Sequence, residues 1–147
     1  MLLTGVISNI SSWLGEALKV SLDLYLEADK GLTVPILGHA LENAGALEVF
    51  SVNGALVAHL ISGLTLTANR ELTDVAIYAE DRKGMDFRVA MRCSVRIKGP
   101  EPECHSSMED LDKIAKSIAR ACSSLFLVTF QFQELLYWRD ATGLHRP

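Results

Sequence analysis

The segment from residue 87 to residue 98 constrains the fold most, because apolar side chains stand at every second position and the positions between them are polar except for Ala90. One face is apolar: Phe87, Val89, Met91, Cys93, Val95 and Ile97. The other face carries Arg88, Ala90, Arg92, Ser94, Arg96 and Lys98. A period of two is that of a β-strand, whereas a helical period of about 3.6 residues would scatter the arginines around the axis. We therefore predict a long strand with one face in the core and one face in water.

Shorter alternating segments predict further strands. They cover residues 20–28, 64–67, 74–79 and 126–132, and the last of them can continue as far as Tyr137. Phe126, Phe130 and Phe132 are predicted to lie in the core.

Capping signals and apolar stripes predict the helices. Thr33 stands two residues before Pro35, a pair typical of a helix start, and Gly45 suits the end of a helix over residues 35–44. Ser106 and Glu109 have the spacing of a capping box before an apolar stripe, which predicts a helix over residues 107–123. Helical spacing of apolar residues predicts one more helix over residues 6–18.

Residues 46–61 allow two interpretations. Their composition permits a helix, but Val49, Phe50 and Val57 favour a strand and flank the pair Asn53-Gly54. Both residues of that pair tolerate a positive φ, which makes it a strong hairpin signal. We predict a hairpin, with a helix as the alternative.

Together these elements predict an α+β fold, in which two or three helices pack on one face of a largely antiparallel β-sheet. The chain has 147 residues, 49% of them hydrophobic and 22% charged, as is typical of a globular domain. We expect a single domain over residues 1–140 and a loose C-terminal tail over residues 141–147.

The net charge of −4 argues against nucleic acid as a partner, because phosphate contacts need an excess of Lys and Arg. A basic protein is the easier electrostatic match. No apolar run reaches the roughly 18 residues that span a bilayer, and no cationic segment of a secretory signal precedes the first apolar residues. We expect a cytoplasmic protein that does not enter a membrane.

The three cysteines have no CxxC spacing, so we expect neither a disulfide framework nor a zinc site, and no cofactor. Cys104 and His105 lie close to Glu101 and Glu103, which suggests a thiolate or metal site. A solvated loop is the favoured interpretation of this segment. His39 and His59 are weak candidates for a general base, and the sequence predicts no other catalytic residue.

Two groups of side chains are candidate binding residues. The basic stripe of Arg88, Arg92, Arg96 and Lys98 could hold an anionic ligand, although pairing with Asp23, Glu27 and Asp29 on a neighbouring strand is favoured. The aromatic residues Tyr25, Tyr78, Tyr137 and Trp138 could anchor a homodimer or another protein interface. The alternative for Tyr137 and Trp138 is that they cap the core.

Three functional hypotheses follow. The first is a small acidic protein-binding domain that acts by occupying the surface of a partner, as immunity proteins and phage-type inhibitors do. The second is a small enzyme or a binding domain for an anionic small molecule, with a pocket in which a histidine meets a carboxylate or an arginine. The third is a structural subunit of an oligomeric assembly.

Overall fold

The computed structural model describes residues 21–147, in which eight strands form one antiparallel sheet accompanied by two helices. The helix predicted over residues 6–18 lies outside the described residues. The bounds of the strands are β1 Ser21–Ala28, β2 Ala46–Val52, β3 Ala55–Leu60, β4 Leu64–Asn69, β5 Met91–Lys98, β6 Phe126–Phe130, β7 Glu134–Asp140 and β8 Gly143–His145. Their spatial order in the sheet is β2-β3-β4-β5-β1-β6-β7-β8. An α+β fold with a largely antiparallel sheet is thus confirmed.

The strongest alternating segments form the centre of the sheet. Leu24 of β1 is paired with Val95 of β5 on one side and with Phe130 of β6 on the other. The predicted strand over residues 87–98 is shorter than expected, since β5 begins at Met91. Residues 87–90 lie outside the ladder, and the amide of Val89 donates to the carbonyl of Val75 at 2.9 Å.

The two helices begin at the predicted caps. Helix α1 spans Val34–Asn43, and the Thr33 hydroxyl accepts from the amide of Ile36 at 3.4 Å. Helix α2 spans Ser107–Ala121. Side chains of both helices join the apolar face of β1 in one buried cluster, which includes Leu22, Leu24, Leu26, Leu37, Leu41, Leu111, Ile114 and Ile118.

Residues 46–61 form the predicted hairpin, and the helical alternative is wrong. Strands β2 and β3 are joined by Asn53 and Gly54, whose φ angles are 50° and 82°. Two successive positive φ angles give the turn a twist that matches the twist of the flanking strands.

The strand predicted over residues 74–79 is wrong. It lies within residues 70–90, which we call the crossing segment, and none of these residues is in a strand. Ala79 of this segment is buried with Leu127 and Leu135, and Ile77, Met85, Phe87 and Trp138 pack around them. The alternation of residues 74–79 reflects an extended chain with one buried side, not a paired strand.

Two predictions at the end of the chain are also corrected. The expected loose tail contains β8, whose Leu144 pairs with Arg139 of β7. Phe132 lies in the β6–β7 turn with a φ of 63° and not in a strand, whereas Phe126 is buried and Phe130 packs against the core as predicted. Neither described helix is long and apolar enough to cross a membrane.

Candidate functional site

The basic stripe is divided by the fold. Arg96 lies on β5, and its Nε is 3.0 Å from Oδ1 of Asp23 on β1. Arg92 pairs in the same way with Glu27. Arg88 is exposed on the crossing segment, and Lys98 is exposed at the end of β5. The favoured interpretation of cross-strand pairing is therefore confirmed for Arg92 and Arg96, and the four cations do not form one row.

The Glu27 carboxylate accepts three hydrogen bonds. Its Oε2 accepts from Arg92 Nε at 3.1 Å and from the amide of Tyr78 at 2.8 Å. Its Oε1 accepts from the amide of Ala79 at 3.0 Å. Because Glu27 is fully buried, these bonds replace the water that the charge has lost. The Glu27–Arg92 pair therefore holds the crossing segment on the sheet. Its hydrogen-bonding groups are used within the chain and are not free to bind a ligand.

The aromatic residues on the polar faces form a small cluster. The rings of Tyr25 and Phe132 stack with their centroids 4.0 Å apart, and Tyr78 meets Phe132 edge-on at 5.5 Å. The guanidinium carbon of Arg92 lies 3.9 Å from the centre of the Tyr78 ring. The pKa of Tyr78 is raised because its hydroxyl donates to Asp74 at 3.0 Å. Tyr25 and Tyr78 are thus used in internal contacts, although Tyr78 keeps an exposed part.

Tyr137 is a core residue and not an exposed anchor, which supports the core-capping alternative. It is only 2% exposed, and its hydroxyl donates to Oδ1 of Asp112 at 2.9 Å. Burial, reinforced by this bond, raises the pKa of Tyr137. Trp138 is half-buried, with its ring stacked on His145 at 5.3 Å and the ammonium of Lys83 at 4.8 Å from its centre.

Tyr137 and Asp112 lie at the wall of a cavity of about 310 Å³. The rest of the lining is Met108, Glu109, Lys113 and Arg146. Burial would raise the pKa of Asp112, but hydrogen bonds from Lys116 and Tyr137 hold it below its ordinary value. At neutral pH the carboxylate is ionised and the phenol protonated, so neither group is poised to exchange a proton with a substrate.

The two histidine candidates do not meet a carboxylate inside a cavity. His39 is exposed on α1. His59 lies on β3, where Nδ1 is 3.1 Å from the Thr65 hydroxyl and Nε2 is 4.0 Å from Oε1 of Glu48. His59 is not among the residues that line the cavities described for residues 21–147.

Cys104 and His105 line a second cavity, of about 260 Å³, together with Glu109 and Asp110. Asp110 already accepts from the Ser62 hydroxyl at 2.7 Å, which ties α2 to the β3–β4 turn. No group of His, Cys, Asp and Glu in residues 21–147 has an arrangement that could hold a metal ion. The cavity contains polar groups but no assembled catalytic set.

Strand β2 carries three of the five large hydrophobic side chains that are exposed in the described residues. Leu47 is 64% exposed, Val52 45% and Phe50 38%. The strand lies at one end of the sheet, and within the described residues its only strand partner is β3. Phe50 and Val52 share a face, since the register places them opposite Val57 and Ala55 of β3.

Within the described residues, the outer edge of β2 has few of the features that prevent strands from pairing between molecules. The register of β2 against β3 is irregular between Ala46 and Glu48, and beyond that point the strand pairs regularly as far as Val52. Its sequence, ALEVFSV, contains no lysine, arginine or proline, and Glu48 is its single charged residue. The other end of the sheet differs, because β8 has only the residues Gly143–His145. Proteins usually shorten, charge or cover their edge strands, and a long apolar edge pairs readily with another chain. The β2 edge is therefore the candidate functional site.

Comparisons of the chain with protein-family models, curated proteins and solved structures return no match. A proposal for the function of this chain therefore rests on the geometry of the β2 edge. Sequence reasoning treated Phe50 and Val52 as ordinary strand residues and did not place them in a binding site. The one signal in the sequence is the absence of a protecting lysine or proline in a β-prone segment, but it has meaning only once the strand is known to be at an edge.

Proposed function

We propose that this chain is a protein-binding domain that takes an extended segment of a partner along the outer edge of β2. The observation that carries the proposal is the combination of an edge strand without lysine, arginine or proline and the exposed side chains of Leu47, Phe50 and Val52. Strand addition supplies affinity through main-chain hydrogen bonds, and specificity through the side chains that meet across the new pair.

The hairpin turn determines which backbone groups face the partner. Residues that flank a two-residue turn bond to each other, so Val52 directs its backbone N–H and C=O towards Ala55 of β3. Because the backbone N–H and C=O groups of successive residues point to alternate sides of a strand, those of Phe50 also point towards β3. Val49 and Ser51 then direct their N–H and C=O groups outward, and these are the groups that a partner strand would use.

The side chains of Phe50 and Val52 add an apolar surface beside this row of hydrogen-bonding groups. They lie on the same face as Val57 and His59, and the Phe50 and His59 rings have centroids 5.7 Å apart. A partner strand with apolar residues on that face would cover the patch. Aromatic side chains at the centre of such patches commonly supply much of the binding energy.

We take α1 and α2 to cover one face of the sheet, because their buried side chains share a single cluster with the apolar face of β1. If the partner uses its extended segment for its own activity, binding of that segment to β2 would inhibit the partner. An immunity-type or phage-type inhibitor in the cytoplasm would act in this way.

The test removes one outward N–H without changing the inner ladder. Ser51→Pro deletes the outward donor at an edge position, which is where a strand tolerates proline. Ser51→Ala is the matched control, because it removes the hydroxyl and keeps the N–H. Each tagged variant and the unchanged protein would be incubated with an extract of the native host that also contains untagged copies of this chain. Bound proteins would then be quantified by mass spectrometry.

We expect a protein that is retained by the unchanged chain and by Ser51→Ala but reduced at least tenfold with Ser51→Pro. If all three samples retain the same proteins in the same amounts, the β2 edge is not the binding site. If no sample retains a protein, even with the untagged copies at up to about 1 mM, the chain is not a protein-binding domain and the proposal is wrong.

A further inference from the structure

We infer that the strand taken up by the β2 edge is β2 of a second copy, paired antiparallel about a two-fold axis that passes beside Phe50. This inference rests on the proposed function, since it names the occupant of the same edge. A two-fold interface uses one surface twice, so an edge that binds itself needs no second binding surface elsewhere on the molecule.

The backbone pattern limits the possible registers. The outward groups belong to Val49 and Ser51, so these residues must form the hydrogen-bonded pairs of the new ladder. With the axis beside Phe50, Val49 of each copy is opposite Ser51 of the other, and all four residues exchange bonds. Phe50 then faces its own copy across the axis in a non-hydrogen-bonded pair, where Cα atoms are only about 4.5 Å apart.

Charge favours this register over its neighbours. With the axis beside Phe50, Glu48 lies opposite Val52 of the partner, and the two Glu48 carboxylates are separated by about 14 Å along the strands. An axis beside Glu48 would place these carboxylates directly opposite each other, which is destabilising.

The remaining registers use the apolar side chains less well. An axis beside Val49 would place Glu48 opposite Phe50 of the partner. An axis beside Ser51 would extend each strand past the turn of the other, at Asn53 and Gly54, and would shorten the overlap. The register centred on Phe50 is the one that combines a long overlap, an aromatic pair on the axis and separated carboxylates.

The interface closes at two copies. Pairing consumes the outer edge of β2 in both molecules, and among the strands of residues 21–147 the edge that remains on each side belongs to the short strand β8. A single strand pair with its adjoining side chains covers less surface than a standard stable interface, for which about 1,200 Å² is the lower bound. We therefore expect a dimer that dissociates on dilution, with a dissociation constant of the order of micromolar or weaker.

Two lysine substitutions test both the dimer and its register. In the Phe50-centred register, Phe50→Lys places two lysines opposite each other on the axis, so the dimer should weaken at least tenfold. Val52→Lys places each lysine opposite Glu48 of the partner, so the dimer should be retained within about threefold. Ile61→Lys is the control for adding a lysine at an exposed apolar position outside β2. Sedimentation equilibrium of the full chain, over a range of concentrations up to about 1 mM, gives each dissociation constant.

Cross-linking gives a second readout of the same register. In a Cys104→Ser background, which removes the exposed native thiol, Phe50→Cys should form a disulfide-linked dimer under mild oxidation. Val52→Cys should not, because the two thiols would be about 14 Å apart. Intact-mass measurement without reductant distinguishes the two results.

Each outcome has one meaning. A dimer that is lost in Phe50→Lys and retained in Val52→Lys supports the inference. A protein that stays monomeric at every concentration overturns it, as does a dimer that both lysines weaken equally or that neither affects. A dimer strengthened by Phe50→Lys would indicate the register centred on Val49 and would also overturn it.

Failure of the dimer is distinguishable from failure of the proposed function. A monomeric protein that still retains a Ser51→Pro-sensitive partner from the host extract would contradict only the inference about a second copy. The effect of salt concentration also distinguishes a second copy from a basic partner protein. Each copy carries a net charge of −4, so added salt should strengthen self-association, whereas it should weaken binding to a basic partner.

Discussion

Nε of Arg92 lies 3.1 Å from Oε2 of Glu27, and this pair joins two layers of the molecule. The guanidinium group also donates to the carbonyls of Asp74 and Ala76, at 3.1 and 2.6 Å. The side chains of Glu27 and Arg92 are 1% and 14% exposed, so the pair is almost completely removed from water. An ion pair in this setting holds the crossing segment on the sheet through charge and through hydrogen bonds.

Replacing Glu27 with glutamine should destabilise the fold strongly. The amide removes the negative charge, leaves Arg92 without its counterion, and directs an N–H group at a backbone N–H that now donates to the carboxylate. Breaking one side of a buried pair typically costs about 3 to 5 kcal/mol, so we expect the free energy of unfolding in urea to fall by about that amount.

The exposed pair on the same two strands is the control for this substitution. Asp23 and Arg96 pair at 3.0 Å but are 36% and 57% exposed, so Asp23→Asn should change the free energy of unfolding by at most about 1 kcal/mol. Equal losses in both variants would show that burial of the Glu27 pair has no role in its strength.

The central elements of the fold could be predicted because their signals are local. Alternation fixed which face of β1 and of β5 is buried, and the apolar stripe with Ser106 as cap located α2. The Asn53-Gly54 turn identified the β2–β3 hairpin in a segment where composition alone was ambiguous. In each case the residues that determine the structure lie close together in the sequence.

The crossing segment shows where local signals fail. Burial does alternate over residues 74–79, as predicted, but the amides of Tyr78 and Ala79 donate to the side chain of Glu27 and not to a strand. A period of two indicates an extended chain with one buried side and says nothing about which group accepts its hydrogen bonds.

The candidate site was missed for a related reason. Phe50 and Val52 belong to a strand that the sequence predicts, but their exposure depends on β2 being at the end of the strand order. Strand order is set by pairings between distant parts of the chain, which periodicity does not record. The basic stripe was clear in the sequence, yet Arg92 and Arg96 are used in ion pairs.

Cys93 and Cys104 should differ sharply in their reaction with a thiol reagent at pH 8. Burial raises the pKa of Cys93 to about 12, so almost none of it is the reactive thiolate in the folded protein. Cys104 is exposed and should account for the fast phase. Cys104→Ser should therefore abolish that phase, and peptide mapping should find Cys93 labelled only after unfolding. Rapid labelling of Cys93 in the native protein would contradict its burial.

Gly63 should be far less replaceable than Gly45, although both have positive φ angles, of 94° and 89°. A Cβ atom on Gly63 would lie 2.7 Å from the carbonyl oxygen of Lys98, whereas one on Gly45 would meet nothing within 4 Å. Backbone strain should cost each alanine variant about 1 kcal/mol, and the contact with Lys98 should add about 1 to 3 kcal/mol for Gly63→Ala. Thermal unfolding of the two variants measures the difference directly, and equal losses would mean that the β3–β4 turn moves to accept the methyl group.

The carboxylate of Asp140 should titrate abnormally because it anchors the turn before β8. The Thr142 hydroxyl donates to it at 2.6 Å and the Thr142 amide at 2.9 Å, and these bonds lower the pKa of Asp140 to about 2. A lowered pKa means stabilisation that is fully present above the unfolded value of about 3.9 and is lost as the pH falls through about 2. Carboxyl ¹³C shifts should therefore titrate well below those of an ordinary aspartate. Thr142→Val should move the midpoint upward, while Thr142→Ser, which keeps the hydroxyl, should not. An unchanged midpoint in Thr142→Val would show that the hydroxyl bond does not cause the shift.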